Sequence, residues 1–281
     1  MEQIKMKNGI LIPQIGLGTW QLKDRGTIKE LLGHAYGIGY RLIDTAAAYS
    51  NEMAIGRGIA KAGIPRDSLF LSDKAWNTYR GYGKVKEACK KSMKKLKTDY
   101  LDLYLIHWPA SPRLHEDWAE INADTWRGME ALYREGLVRA IGVCNFKASH
   151  LEELKRTASV MPMVNQIEYH PGMLQKDTVD YCRKEQILTE ASSPLGNGQI
   201  LGNEILKRIA GEKGRSTAQI CLRWTLQKGM TAIPKTSDTN RLLENYSLDD
   251  FELSDREMEQ IDGIPYCGGL GIDSDEVVEF G

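Results

Sequence analysis

The chain has 281 residues, of which 42% are hydrophobic, and it carries a formal net charge of −1. This length can bury a substantial core and suits one domain, because barrels of alternating strands and helices typically run to about 250 residues. The balanced charge gives no overall field that would favour nucleic acid or an anionic membrane, so neither is expected as a partner.

Hydropathy and cysteine usage also restrict the protein class. No apolar run approaches the roughly 20 residues of a membrane-spanning helix, and the first residues lack the apolar core of a signal peptide. We therefore expect a cytoplasmic protein, and we expect it to be a monomer. The five cysteines are far apart and without CxxC spacing, which indicates neither a disulfide framework nor a metal site.

The chain opens with a predicted β-hairpin and then alternates strand-like and helix-like segments. Asn8 and Gly9 separate two short apolar runs and predict a two-residue turn. Strand-like runs follow at residues 14–17, 41–44, 69–74, 101–106, 140–143, 163–167, 188–191 and 231–234. Stretches with helical spacing separate them, for example at residues 28–36, 85–96, 126–133 and 151–156.

Eight strand-then-helix units predict an α/β fold, a (β/α)8 TIM barrel. It would form one domain over residues 1–281, with the N-terminal hairpin closing its bottom and the active site at the carboxyl ends of the strands. The alternative is a doubly wound open sheet that binds a dinucleotide. It lacks support, because Gly16 and Gly18 are followed by Thr19, Trp20 and Gln21, which breaks the GxGxxG pattern.

Four polar residues lie where strands pass into loops: Asp44, Tyr49, Lys74 and His107. Their chemistry suits an acid relay, because a phenol with a pKa near 10 donates a proton readily at neutral pH only if a neighbouring ammonium lowers that pKa. The alternative is a structural ion pair of Asp44 with Lys74, beside a loop tyrosine and a core histidine. A metal-dependent hydrolase on the same barrel is not favoured, because the histidines show neither HxH nor HExxH spacing.

Several segments carry a family resemblance. They are Gly16-Leu-Gly-Thr-Trp20, Arg41-Leu-Ile-Asp-Thr-Ala-Ala-Ala-Tyr49, Asp102-Leu-Tyr-Leu-Ile-His-Trp-Pro109, Ile141-Gly-Val-Cys-Asn-Phe146, Asn165-Gln-Ile-Glu-Tyr-His-Pro171, Ser193-Pro-Leu-Gly196 and Ile233-Pro-Lys-Thr236. In these segments the chain resembles the aldo-keto reductases, most closely the short bacterial members that include 2,5-diketo-D-gluconate reductases. The resemblance implies reduction of aldehydes or ketones, including keto sugars or small dicarbonyls, to alcohols.

The resemblance also implies roles for the four polar residues. Tyr49 would be the general acid, Lys74 would lower its pKa, Asp44 would hold the lysine, and His107 would orient the carbonyl. A neutral His107 can donate one hydrogen bond to the carbonyl oxygen while Tyr49 donates the other.

NADPH is the cofactor that the resemblance implies. Asn145 and Gln166 would bind the nicotinamide carboxamide, and the cluster after the eighth strand would hold the adenosine 2′-phosphate and the adenine. The physics favours NADPH over NADH, because Lys235, Arg241 and a helix N-terminus near Asn240 suit a dianion. The predicted cofactor-binding residues are Gly18, Thr19, Trp20, Asp44, Cys144, Asn145, Gln166, Ser192, Ser193, Pro194, Leu195, Gly196, Lys235, Thr236, Ser237, Arg241, Glu244 and Asn245.

A substrate pocket is predicted above the nicotinamide. Its predicted residues are Trp20, Tyr49, Trp76, His107 and Trp108, with Trp118 as a further candidate wall. The glycine-rich tail after Tyr266 is expected to fold over this pocket.

Three positions depart from the family pattern. Asp73 replaces a small hydroxyl residue, and strand alternation predicts that it faces away from Lys74 into an outward salt bridge. Cys144 replaces a serine and is a weaker hydrogen-bond donor, while Ser192 replaces an aromatic ring that stacks on the nicotinamide. These departures motivate an alternative function, a catalytically weak NADPH-binding sensor on the same fold.

Overall fold

The computed structural model describes residues 2–23 and 27–277. It begins with a hairpin of β1 (Gln3–Lys5) and β2 (Leu11–Pro13). The backbone N–H of Met6 donates to the Ile10 carbonyl at 2.9 Å, so the turn has three residues and not the two that were predicted. Gly9 closes it with a φ of 86°, the left-handed conformation that such a turn requires.

Eight parallel strands form the barrel. They are β3 (Gly16–Gly18), β4 (Leu42–Asp44), β5 (Phe70–Ala75), β6 (Leu103–Ile106), β7 (Ile141–Cys144), β8 (Val164–Glu168), β9 (Leu188–Ser192) and β10 (Thr231–Ala232). Each pairs with its neighbours in chain order, and a bridge between Ile15 and Ala232 closes the sheet. The predicted (β/α)8 barrel is confirmed, with all eight strands starting within two residues of their predicted positions. The hairpin lies at the barrel's bottom, where the Asn8 side chain donates to the Arg139 carbonyl just before β7.

Ten helices occur in the described part of the chain. They are α1 (Ile28–Ile38), α2 (Glu52–Lys61), α3 (Tyr82–Leu96), α4 (Trp118–Arg134), α5 (Ala148–Lys155), α6 (Lys176–Lys184), α7 (Glu204–Lys213), α8 (Thr217–Gln227), α9 (Thr239–Tyr246) and α10 (Asp255–Asp262). Two of them, α7 and α10, are additional to the eight barrel helices and pack on each other. None of these described helices is long and apolar enough to cross a membrane.

The helices pack on the barrel through one apolar face each. In α3, Val85, Cys89 and Met93 recur every four residues and are buried, while lysines occupy the opposite face. On the strands the direction alternates, so residues two apart share a face. Lys74 points into the barrel and Asp73 points outward to the helices, as the alternation predicted.

Candidate active site

A buried ion pair forms the centre of the site. The Lys74 ammonium on β5 lies 2.5 Å from a carboxylate oxygen of Asp44, at the end of β4. The same ammonium donates to the carbonyl of Thr45 at 2.9 Å. Both side chains are almost completely shielded from solvent, so this geometry fixes the positive charge at one point at the carboxyl end of the barrel.

Tyr49 and His107 adjoin this pair. A short helical turn, Ala47–Tyr49, follows β4 and brings the Tyr49 ring to 5.1 Å from the Lys74 ammonium, measured to the ring centre. The rings of Tyr49 and His107 meet edge to face, 5.7 Å apart. The structure therefore brings together all four residues predicted for the relay.

Asn51 holds the loop that carries Tyr49, and the sequence reasoning did not identify it. Its side-chain amide donates to the carbonyls of Thr19 and Leu22 and accepts a hydrogen bond from the Thr45 hydroxyl. The residue therefore ties the loop after β4 to the loop after β3. Its position two residues after Tyr49 was the only signal in the sequence.

Burial changes the acidity of the relay. It opposes the charge on Lys74, but Asp44, Tyr49 and Cys144 together outweigh burial and hold the pKa of the ammonium above its usual range. Burial also raises the pKa of the Tyr49 hydroxyl, and Lys74 offsets only part of this rise. Lys74 thus lowers the pKa of Tyr49, as predicted, but burial raises that pKa by more. Burial and the Lys74 charge hold the pKa of His107 well below its usual range, so the imidazole is neutral.

Two side-chain amides stand on neighbouring strands, one within β8 and one directly after β7. Gln166 on β8 is buried and donates to Asp44 at 3.1 Å across the barrel. Asn145, directly after β7, adopts a left-handed φ of 60° and donates to the carbonyl of His107 at 2.9 Å. Cys144 shares the interior face with Gln166, and burial raises the pKa of its thiol, which is therefore protonated.

The predicted phosphate cluster lies after β10. Lys235, Ser237 and Arg241 are exposed, and neither cation forms an ion pair with any described residue. The helix that follows, α9, begins at Thr239, and its first N–H groups are already capped by the Asp238 carboxylate. The expectation that this helix end would itself attract an anion is therefore wrong, because a carboxylate occupies it. The attraction must come from the two cations.

The remaining predicted cofactor residues line the same end of the barrel. A side chain at Gly18 would approach the Ile233 carbonyl to 2.7 Å, so only glycine lets β3 pass this close to the loop after β10. Thr19 is completely buried, and Ser193 turns the chain after β9 with a φ of 46°. The remaining residues differ in exposure: Trp20 is exposed, Leu195 and Ser192 are half-buried, and the buried ones are Thr236, Asn245, Pro194 and Gly196. Glu244 accepts a hydrogen bond from the Ser216 hydroxyl.

Aromatic rings stand above the relay. The Trp76 ring meets the His107 ring edge to face at 5.1 Å, and Trp108 follows directly in the chain and is partly exposed. Trp118, at the start of α4, instead packs against His150, with the ring centres 5.4 Å apart. Trp76 therefore lies beside the proposed site, whereas the Trp118 ring packs against His150.

The tail is fastened to this end of the barrel. Glu168, the last residue of β8, accepts hydrogen bonds from the backbone of Leu270 at 2.6 Å and of Gly271 at 2.8 Å. Lys147, after β7, pairs with Asp275 at 2.6 Å. The sequence predicted the tail at this end of the barrel but none of the contacts that hold it there.

Asp73 differs from expectation. Its side chain faces the helices, but it is fully buried, and neither of its oxygens has a hydrogen-bond partner among the described residues. The predicted outward salt bridge is wrong, because the charge that acts most strongly on Asp73 is another carboxylate, Glu52, whose own partner is Lys95.

Known proteins resemble this chain in sequence and in fold. Residues 14–265 match the model of the Aldo/keto reductase family. The chain is 44% identical over 277 residues to a glyoxal reductase of Bacillus subtilis, covering 99% of this chain and 98% of the relative. It is 38% identical to a methylglyoxal reductase of Escherichia coli, covering 97% of each. A crystal structure of a Bombyx mori aldo-keto reductase in complex with NADP superposes with a TM-score of 0.84 at 33% identity, covering 93% of this chain and 92% of that one. With its barrel, its buried ion pair and a family match over nine-tenths of its length, the chain belongs to the aldo/keto reductase family.

Proposed function

We propose that this protein uses NADPH to reduce aldehydes and ketones to alcohols, and that small dicarbonyl compounds are among its substrates. The observation that carries the proposal is the buried Lys74–Asp44 pair, with the Tyr49 ring 5.1 Å from the ammonium. The similarity to a glyoxal reductase and a methylglyoxal reductase supports the substrate class.

The residues present suit NADPH. Lys235 follows β10 and Arg241 lies in the first turn of α9, and both are exposed cations without ion pairs to described residues, as a 2′-phosphate site requires. Gln166 and Asn145 place amides beside the relay, where a carboxamide would be bound. NADPH, when bound, supplies the hydride that reduces the carbonyl carbon.

The protein's own part is to bind the carbonyl and donate the proton. The Tyr49 hydroxyl and the neutral His107 ring each offer one hydrogen bond to the carbonyl oxygen, on which negative charge develops. Tyr49 then transfers its proton to that oxygen, and the Lys74 ammonium stabilises the resulting phenolate. Asp44 keeps the ammonium in place, and the ring of Trp76 helps to exclude water.

Removal of the Tyr49 hydroxyl tests the proposal. Oxidation of NADPH is followed by absorbance with a panel of aldehydes, diketones and keto sugars, for the wild type and for Tyr49→Phe. We expect the variant to lose about 10²- to 10⁴-fold in kcat, the range for loss of a general acid, while its NADPH affinity is retained. Tyr82→Phe, at an exposed tyrosine at the start of α3, is the matched control and should behave as the wild type.

Two results would contradict the proposal. Wild-type turnover in Tyr49→Phe would remove Tyr49 from the mechanism. Tight NADPH binding by the wild type without turnover of any carbonyl would instead favour the sensor, the alternative that Ser192 and Cys144 motivate. The monomeric state stays a prediction, which sedimentation of the same preparation would test.

A further inference from the structure

A chain of hydrogen bonds crosses the barrel interior next to the acid relay. The carboxylate of Glu190 on β9 is completely buried and accepts a hydrogen bond from the Gln166 side-chain nitrogen at 2.7 Å. The same nitrogen donates to Asp44 at 3.1 Å, and the other oxygen of Asp44 accepts from Lys74 at 2.5 Å. Glu190 is therefore connected to the catalytic ion pair through one amide.

This arrangement fixes the orientation of the Gln166 amide. An amide NH2 group has two hydrogens, and here Asp44 and Glu190 each receive one. The reverse orientation would place the amide oxygen against the charged carboxylate of Asp44, which is repulsive. The oxygen of Gln166 is therefore the atom left to accept a hydrogen bond, and a carboxamide ligand offers the NH2 group that complements it.

Glu190 lacks the cation that neutralises Asp44. Its second oxygen has no hydrogen-bond partner among the described residues. The charged or titratable groups that face it are Asp44, Lys74 and Cys144, and Thr231 is its register partner on β10. Burial, followed by the negative charge of Asp44, raises the pKa of Glu190 to about 8. The carboxyl is thus mostly neutral at pH 7 and becomes charged as the pH rises above 8.

We propose that Glu190 is a positioning residue that holds the Gln166 amide with its oxygen towards the nicotinamide carboxamide. This inference rests on the proposed function, since it takes NADPH as the cofactor. In this role the buried Glu190 carboxyl group touches neither the substrate nor the acid relay directly. The charge state of Glu190 then affects how tightly the cofactor is bound.

A pair of variants separates the hydrogen bond from the charge. Glu190→Leu keeps a similar volume but removes the acceptor, which releases one Gln166 hydrogen. Glu190→Gln keeps an acceptor oxygen and resembles the neutral acid. In fluorescence titrations at pH 7 we expect Glu190→Leu to bind NADPH about threefold to tenfold more weakly, the range for one lost hydrogen bond, and Glu190→Gln to remain within twofold of the wild type.

The pH dependence gives a readout that a purely structural role would not change. An ionised Glu190 favours the oxidised cofactor, because the NADP⁺ ring is cationic and the barrel interior screens charge poorly. The preference of the wild type for NADP⁺ over NADPH should therefore rise at least about threefold between pH 7 and pH 9. In Glu190→Gln the same preference should stay flat.

The outcomes distinguish this inference from the proposed function. No binding of NADPH by the wild type would contradict the reductase itself. Wild-type affinity in a folded Glu190→Leu variant, checked by circular dichroism, would overturn the role of Glu190 alone. If Glu190→Leu does not fold, Glu190→Gln decides, because a pH response equal to that of the wild type would overturn the proposal.

Discussion

Replacement of Asp73 by asparagine should stabilise the protein, and increasingly so at higher pH. Asp73 is buried between β5 and the helices, without a hydrogen-bond partner in the described structure. Burial, reinforced by the charge of Glu52, raises the pKa of Asp73 to about 8 from a usual value near 4. Asparagine has nearly the same shape, so Asp73→Asn removes the charge without creating a cavity.

The sign and size of the effect follow from proton linkage. The folded state binds the Asp73 proton more tightly than the unfolded state does. The stability that this proton contributes is therefore fully present below about pH 4. This stability is lost as the pH rises towards 8, at no more than about 1.4 kcal/mol per pH unit. Between about pH 5 and pH 8 the free energy of unfolding of the variant should therefore gain roughly 2 to 4 kcal/mol on the wild type.

Urea unfolding at several pH values in this window measures the difference. Asp67→Asn is the matched control, because Asp67 is exposed in the turn before β5 and its replacement should change stability little at any pH. Parallel stability curves for Asp73→Asn and the wild type would refute the reasoning, since they would mean that Asp73 is already ionised and solvated in the folded state.

Three further predictions concern the cofactor and the tail. Arg241→Ala should weaken NADPH binding by roughly 1.5 to 3 kcal/mol, the range for hydrogen bonds to charged groups, and leave NADH binding little changed; equal losses for both cofactors would show that Arg241 is structural. Ser192→Tyr should tighten NADPH binding about threefold to tenfold, because an aromatic contact contributes about 0.5 to 1.5 kcal/mol; an unchanged dissociation constant would mean that another residue already covers the nicotinamide. Glu168→Ala should release the backbone at Leu270 and make the tail more sensitive to limited proteolysis, and an unaltered cleavage rate would show that the other contacts of the tail, such as Lys147 with Asp275, suffice to hold it.

The positions of the four residues proposed for the relay could be predicted from the sequence, because the signals that place them are local. Strand alternation and strand ends are properties of short segments, and parallel strands in a barrel have all their carboxyl ends at one rim. Asp44, Tyr49, Lys74 and His107 therefore converge once the eight strands are recognised. The outward direction of Asp73 followed from the same alternation.

Only the tertiary structure decided which partner each polar group meets. Gln166 and Asp44 are 122 residues apart and touch because the barrel closes between them. Asp73 forms no ion pair with a described residue on the helix side, because the helix packed against it presents Glu52, and no pattern within β5 reveals that. The sequence by itself thus determined the fold, the convergence of these four residues at one rim and the face on which each strand side chain lies. Hydrogen bonds, charge states and the anchors of the tail depend on distances between elements remote in the chain, because electrostatic energy is set by separation and burial in space and not along the sequence.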